Sequence, residues 1–267
     1  MRSTLALVFA LFTVCCPMAA QPSPLDSSLV STPPYGVFSW DWDITRTINS
    51  IDNPWINQVS DVVSASVIPV GLGVPGTMLA SANLQWFTRD AVYNRYLAET
   101  GALALASEVG TVVVVVALKE LTARERPYLA HPQDIVGRVD EILSSFPSGH
   151  AAVSSSLAMM LSLRYPKWYV IGPSALWTLA VSCSRMHLGV HYFTDVLVGT
   201  AFGSGMALLV YSLRSELLPQ MEFMLPASPP DAAQQNAKIQ AAAQTMPFGL
   251  MATPEGASLN FSIPIGR

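Results

Sequence analysis

The chain has 267 residues, enough for one sizeable domain and a tail. Charged residues are only 12% and hydrophobic residues 51%, with a mean hydropathy of +0.39, which argues against an ordinary water-facing surface and for helices placed in lipid. A net charge of -4 gives no reason to expect a nucleic-acid partner. Residues 1–20 read as a secretory signal: Arg2 is the positive end, Leu5 to Val14 the apolar stretch, and Ala19 and Ala20 the small residues before Gln21. Met18 stands where a small residue is preferred, so an uncleaved first membrane helix is the other reading. Phe12 and Thr13 argue against lipid attachment at Cys15 or Cys16. With the signal removed, Cys183 is the only thiol left and no intramolecular disulfide can form.

Residues 21–60, rich in Pro, Ser, Asp and Trp, are predicted to be an irregular extracytoplasmic lead-in with a short interfacial helix from Ile44 to Ile51. Apolar stretches of helix length follow at Val62 to Ala82, Gly101 to Leu118, Ala151 to Leu163, Trp168 to Cys183 and Tyr192 to Leu213. They predict an all-α, membrane-embedded helical bundle of about five or six spanning helices over residues 62–213. The run Val112 to Val116 has strand-like composition, but its Ala-Leu flanks favour a helix. The glycines of Gly71-Leu72-Gly73-Val74-Pro75-Gly76 fit a dinucleotide-binding spacing; with no βαβ unit around them and Pro75 among them, a kinked membrane helix is the better reading. Glu108 falls mid-span, where a carboxyl is expected to face the bundle interior and bond Ser or Thr hydroxyls. Residues 214–267 form a tail with a Pro-rich linker from Pro226 to Pro230, a helix from Asp231 to Gln244, and a hairpin over Pro247 to Pro264 turning at Thr253-Pro254-Glu255-Gly256.

Counting spans from Arg2 inside puts Arg89, Arg95, Arg164, Lys167 and Arg214 on the inner face, as the positive-inside rule asks. The same count puts residues 119–149 and 184–191 together on the outer face. Three short blocks lie there or border it, in a chain with only 14 Lys+Arg and 4 His.

Phosphoryl transfer needs dispersed positive charge on the equatorial oxygens and an in-line nucleophile with a protonated leaving group. Lys119 and Arg126 stand two helical turns apart and project from one face if the helix persists; Pro127 stops it. In Pro147-Ser148-Gly149-His150, Ser148 is a good helix start and Gly149 lets a phosphate approach the backbone. His150 lies in the first turn, placed to protonate a leaving oxygen. In the third block His191 and Asp195 are four apart, so on a helix a carboxylate fixes the imidazole tautomer and frees the other nitrogen to attack. Arg185 completes the oxygen clamp.

The pattern Lys119-x6-Arg126-Pro127, Pro147-Ser148-Gly149-His150, Ser184-Arg185-x5-His191-x3-Asp195 resembles the type 2 phosphatidic acid phosphatase superfamily at every signature position. The resemblance is specific over residues 119–195, and the lead-in and tail lie outside it. It implies a helical core of the phosphatidic acid phosphatase and haloperoxidase kind. It further implies His191 as a nucleophile forming a phosphohistidine, Asp195 as its orienter and His150 as general acid. Lys119, Arg126, Ser148, Gly149 and Arg185 would hold the phosphate, with no metal or cofactor. The implied substrate is a lipid phosphate or pyrophosphate in the bilayer, hydrolysed at the outer face of a bacterial-type inner membrane; the headgroup and oligomeric state stay open. Four rival readings stand beside it. A soluble periplasmic or secreted acid phosphatase of the same superfamily is the first, and a vanadium-dependent haloperoxidase the second. A zinc hydrolase using His187, His191 and Asp195 at i, i+4, i+8 is the third. A non-catalytic lipid-binding or scaffold protein is the fourth.

Overall fold

The computed structural model describes residues 39–85, 89–226, 248–253 and 256–261. The expected signal, both N-terminal cysteines and the predicted helix at Asp231 to Gln244 lie outside the described residues. Helix α1 (Ser39–Asn49) has Asp41 in its first turn and Arg46 in its last, which suits the helix dipole. Helix α2 (Pro54–Ala65) begins with Asn53 accepting from the Trp55 N–H and with proline at its first position. The lead-in therefore differs from its predicted form: α1 starts at Ser39 rather than Ile44, and a second helix replaces the irregular stretch. Ile44 and Ile48 pack, with Phe193, against Ala151, Met186 and Val196, and this burial stabilises a helix whose local composition reads as loop.

Helix α3 (Val67–Asn83) follows α2 across a 41° bend and carries Pro75 inside it. Helix α4 (Ala91–Thr122) is capped by Asp90, which accepts from the N–H groups of Val92 and Tyr93. It ends at Ala123 in the left-handed region, φ 45°. A single turn, α5 (Pro127–Ala130), precedes α6 (Gly149–Arg164), α7 (Trp168–His187) and α8 (Phe193–Ser212). Helix α9 (Arg214–Gln220) and a 3-10 turn (Glu222–Met224) bring Leu225 back onto Ala82, Leu97, Ala98 and Ala102. In the tail, β1 (Phe248–Thr253) pairs antiparallel with β2 (Gly256–Phe261).

The core joins α4, α6 and α8 through Leu103, Ala104, Leu157, Met160, Ala207 and Val210. Helices α6 and α8 touch backbone to backbone. A Cβ added at Gly203 would sit 1.9 Å from the Ala152 carbonyl oxygen, and one at Gly199 would sit 2.4 Å from that of Ser148. Ser155 bridges the seam by donating to the Thr200 carbonyl at 3.0 Å. Small residues at such spacing let helices approach closely when hydrophobic burial between them is weak. The contact also fixes the start of α6 against the start of α8. Gly203→Ala is expected to separate the two helices and cost about 1–3 kcal/mol or more, read as a lowered melting temperature in detergent.

By length and hydropathy, two described helices qualify as membrane spans: α4 with its extension to Ala130, and α8. Counting bent α2–α3 as one gives three, where the apolar stretches had predicted five or six. Helix α6 has 16 residues and carries Ser154, Ser155 and Ser156, and α7 carries Arg185 and His187, which lowers their hydropathy. Large apolar side chains face outward along the bundle: Ile68 on α3, Val109 and Val113 on α4, Leu176 and Leu179 on α7, Leu197 and Leu209 on α8.

At one end of the bundle Arg95 pairs with Glu99 at 3.1 Å and with Glu222, while Arg164 pairs with Glu99 at 3.3 Å and lies over the Tyr96 ring. Lys119 lies on the same helix as Arg95, 24 residues or about 36 Å further on, close to the opposite end. Glu108, between them, accepts no hydrogen bond from a protein group. Ser107 and Thr111 instead donate to the carbonyls of Ala104 and Ser107. The expected hydroxyl partners of Glu108 are therefore engaged with the helix backbone.

Candidate active site

Helix α4 does not persist to Arg126. It stops at Thr122, and Arg126 is extended (φ -76°, ψ 149°) as the cap of α5, because the following Pro127 disfavours helical backbone. The two cations therefore meet through a turn instead of sharing a helix face. Arg126 is 2% exposed, and three bonds hold its guanidinium. Its Nε donates to the Leu143 carbonyl at 2.8 Å, and its terminal nitrogens donate to the Val190 carbonyl at 2.9 Å and to Glu141 Oε2 at 3.2 Å. Lys119 Nζ donates to the Ser144 carbonyl, and Ser144 Oγ donates back to the Lys119 carbonyl at 2.8 Å.

Arg185, also 2% exposed, comes from the last turn of α7. It donates to Ser64 Oγ at 2.5 Å and to Glu141 Oε1, while its buried Nε has no partner. Just past α7 the chain turns through Gly189 (φ 78°), where a Cβ would stand 2.5 Å from the Val136 carbonyl. Only glycine fits there, and the turn delivers His191 next to Arg185.

Ser148 caps α6 by accepting from the Ala151 N–H at 3.4 Å, and its own N–H donates to the Asp195 carbonyl at 2.9 Å. The hydroxyl is thus engaged in the cap. At Gly149 a Cβ would meet only Val115, at an ordinary 3.6 Å, so neighbouring protein does not demand glycine there. His150 follows in the first turn, partly buried.

His191 is 1% exposed and precedes α8, so the expected pairing along one helix is replaced by a turn. Asp195 reaches it nonetheless, with His191 Nδ1 3.6 Å from Asp195 Oδ2. This exceeds hydrogen-bond length, and His191 Nδ1 has no partner. The carboxylate is held by others: Oδ2 accepts the Tyr192 N–H at 2.8 Å and Oδ1 accepts from Arg124 at 2.6 Å. Arg124 also donates to Asp41 Oδ2 at 3.0 Å and to Thr194 Oγ1 at 2.8 Å. Asp41 in turn accepts the Thr194 N–H at 2.7 Å, and Thr45 accepts the Phe193 N–H at 3.0 Å. The unpaired donors at the start of α8 are thus satisfied from α1.

The zinc alignment does not form. Helix α7 ends at His187, whose ring nitrogens sit 3.2 Å from the Ile48 carbonyl and 2.8 Å from Asn57 Oδ1, away from His191.

The electrostatics of the cluster are those of an anion site. Burial lowers the His191 pKa well below its ordinary value, and the charges of Arg185, Arg126 and Lys119 lower it further. Burial, followed by Arg185, lowers that of His150 in the same sense. Burial would raise the Glu141 carboxyl, but the charges of Arg185 and Arg126 outweigh it and leave it below the usual carboxylate range. Both histidines are therefore neutral at neutral pH in the free protein, and Glu141 is ionised.

The eight residues singled out in the sequence fall into one neighbourhood: Lys119, Arg126 and Arg185 around a common centre with His150 and His191, Asp195 behind His191, and Ser148 with Gly149 at the adjoining helix start. Sequence reasoning missed Glu141, Arg124 and Asp41. Arg124, two residues before Arg126, was the one with a local signal, being a third cation beside a motif cation.

Comparison with known proteins identifies the family and the fold. Residues 100–218 match the model of the PAP2 superfamily. A decaprenylphosphoryl-5-phosphoribose phosphatase of Mycobacterium tuberculosis is 30% identical over 152 residues, which cover 52% of this chain and 81% of that protein. An undecaprenyl-diphosphatase of Sulfolobus acidocaldarius is 39% identical over 72 residues, 27% of this chain and 34% of that relative. The crystal structure of the first transmembrane PAP2 type phosphatidylglycerolphosphate phosphatase from Bacillus subtilis has the same fold, with a TM-score of 0.51 at 24% identity, covering 67% of this chain and 86% of that one. Fold and kinship together define a helical-bundle phosphatase. The chain belongs to the PAP2 superfamily.

Proposed function

We propose that the chain is a metal-independent phosphatase of a lipid phosphate or pyrophosphate, working through a phosphohistidine on the extracytoplasmic face of a bacterial-type inner membrane. The observation that carries it is the convergence of three buried cations on two histidines at one end of an apolar bundle. Nδ1 is the His191 nitrogen nearest Asp195, which leaves Nε2 to attack phosphorus. The new N–P bond forms as the bond from phosphorus to the leaving oxygen breaks, and His150 gives that oxygen its proton. A water then loses a proton to His150 and attacks phosphorus; the N–P bond breaks, returning neutral His191 and inorganic phosphate. Arg126, Arg185 and Lys119 spread the charge of the transferring group, and Gly149 leaves the α6 N-terminus open to an oxygen. Asp195, held by Arg124 and Tyr192, sits where a small closure on substrate would bond it to Nδ1.

The substrate side of the reading rests on the apolar exterior. Helix α7 is about 30 Å long, the thickness of a bilayer core, with exposed Trp168 and Tyr169 at its start and Arg185 in its last turn. An apolar groove of about 360 Å³ between α4 and α8, lined by Val114, Ala201, Phe202, Gly205, Met206 and Leu209, suits a hydrocarbon chain. It opens five residues before Lys119 and six after Asp195 on those helices.

The test is phosphate release by purified protein in detergent from undecaprenyl pyrophosphate, phosphatidylglycerol phosphate, phosphatidic acid and lipid A phosphate. At least one is expected to turn over in the presence of chelator, and failure of all four would sink the reading. The pH profile follows from the neutral histidines. With His150 unprotonated in the free site, the proton for the leaving group enters with the phosphoryl group, whose second pKa is about 6. For a monoester, kcat/KM is therefore expected to be flat just below about pH 6 and to fall tenfold per unit above it.

A further inference from the structure

We propose that Glu141 is the resident counter-anion of the phosphate clamp: a phosphoryl group must displace it to bind, and its return expels inorganic phosphate. The proposal rests on the functional reading above and adds a residue which that reading does not use. Each oxygen of the Glu141 carboxylate accepts from a different clamp arginine, Oε2 from Arg126 at 3.2 Å and Oε1 from Arg185. These are the donors assigned to the phosphoryl oxygens, and a guanidinium fork serves carboxylate and phosphate alike. With the carboxylate in place the two cannot be occupied together.

The arrangement favours exchange over a permanent ion pair. Besides Glu141, Arg126 donates to the Leu143 and Val190 carbonyls and Arg185 to Ser64 Oγ, bonds that do not involve the carboxylate. The clamp is therefore held by groups other than its anion. Arg185 Nε stays buried and unpartnered, a donor that a carboxylate with two oxygens does not reach and a phosphoryl group with three can. Both arginines are 2% exposed while the Glu141 side chain is 28% exposed, so the carboxylate is the outermost member of the cluster.

The chain around Glu141 is built to move it. On one side the Arg138 N–H donates to the Leu188 carbonyl at 3.1 Å and its guanidinium to the His187 carbonyl at 2.7 Å. On the other side the Leu143 carbonyl is fixed by Arg126, and the Ser145 N–H donates to the Arg124 carbonyl at 2.8 Å. Between these anchors residues 139–142 belong to no helix or strand, the Glu141 N–H donates to the Tyr128 hydroxyl at a long 3.5 Å, and Ile142 is 78% exposed. A four-residue flap pinned at both ends can swing a carboxylate outward without disturbing the arginines.

Exchange also keeps the charge balanced. Two buried guanidiniums without an anion are unfavourable, so the free site is stable only because Glu141 fills it. Ligand affinity is then reduced by the fraction of molecules whose clamp is open. The same competition shortens the stay of product phosphate, which a clamp of three cations would otherwise retain.

The test uses the full chain in detergent, with p-nitrophenyl phosphate as substrate and inorganic phosphate as inhibitor. Glu141→Gln removes the competing charge. It is expected to lower the phosphate inhibition constant and KM at least tenfold. The kcat is expected to fall, with a pre-steady-state burst of nitrophenol, because phosphate release becomes limiting. Should Glu141→Gln fold poorly, Glu141→Asp keeps the charge on a shorter stem that cannot bridge both arginines, and a smaller shift in the same direction is expected. A raised or unchanged inhibition constant in either folded variant overturns the proposal, since a carboxylate that merely positions the arginines would weaken anion binding when lost. Wild-type protein that neither binds inorganic phosphate nor hydrolyses the ester would instead overturn the phosphatase reading itself.

Discussion

His191→Ala is expected to abolish turnover, with a fall in kcat on the order of 10⁶, the size seen when a covalent hydrolase loses its nucleophile. No other side chain in the cluster can replace it. His150 is partly buried at the α6 start and in the proposed reaction already carries the proton, and Lys119, Arg126 and Arg185 are cations engaged with carbonyls and Glu141. Among the described residues the only free thiol, Cys183, is exposed on α7 and points outward. The variant should still fold, because His191 Nδ1 makes no hydrogen bond and losing the ring orphans no partner there. The measurement is trapping of a labelled phosphoenzyme under an alkaline detergent quench, beside steady-state phosphate release. Wild type should trap a base-stable, acid-labile adduct and His191→Ala none. A turnover within tenfold of wild type would remove the covalent route.

Arg185→Lys is expected to lower kcat/KM by about 10³–10⁵, the range over which arginines that stabilise a transferring phosphoryl group act. The substitution keeps the charge, so it isolates geometry. A lysine ammonium cannot hold Ser64 Oγ with one nitrogen while offering Nε and a second nitrogen to a ligand, as the guanidinium does. Most of the loss should appear in kcat, since charge on the equatorial oxygens is best matched in the transition state. A loss below tenfold would mean that Arg185 supplies only net charge. Because Arg185 is 2% exposed, the melting temperature should be measured beside the kinetics.

Much of this site was legible in the sequence because the information is local. Ser148 before Gly149 and a long apolar-small run signals a helix start, and it caps α6 by the expected bond. The residues of the cation and histidine motifs do come together at one end of the bundle. Geometry within the motifs was less legible. Lys119 and Arg126 were expected on one helix face, but Pro127 holds Arg126 extended, and Ala123 ends α4 early. His191 and Asp195 were expected one turn apart on a helix, yet the helix begins at Phe193 and the two residues meet across its cap.

By itself the amino-acid sequence determined the class of fold, the apolar surface and the blocks of cations and histidines proposed to form the site, since these follow from hydropathy, capping residues and short spacings. Only the tertiary structure decided which charges meet. Asp41 reaches Arg124 and Thr194 because α1 packs on the start of α8, and Glu141 lies between Arg126 and Arg185 because the loop between α5 and α6 carries it there. Such partners stand between 15 and 153 positions apart, beyond the turn or two over which backbone periodicity carries information. Their pairing follows from how helices close on one another, and Gly199 and Gly203 set that distance at the α6–α8 seam.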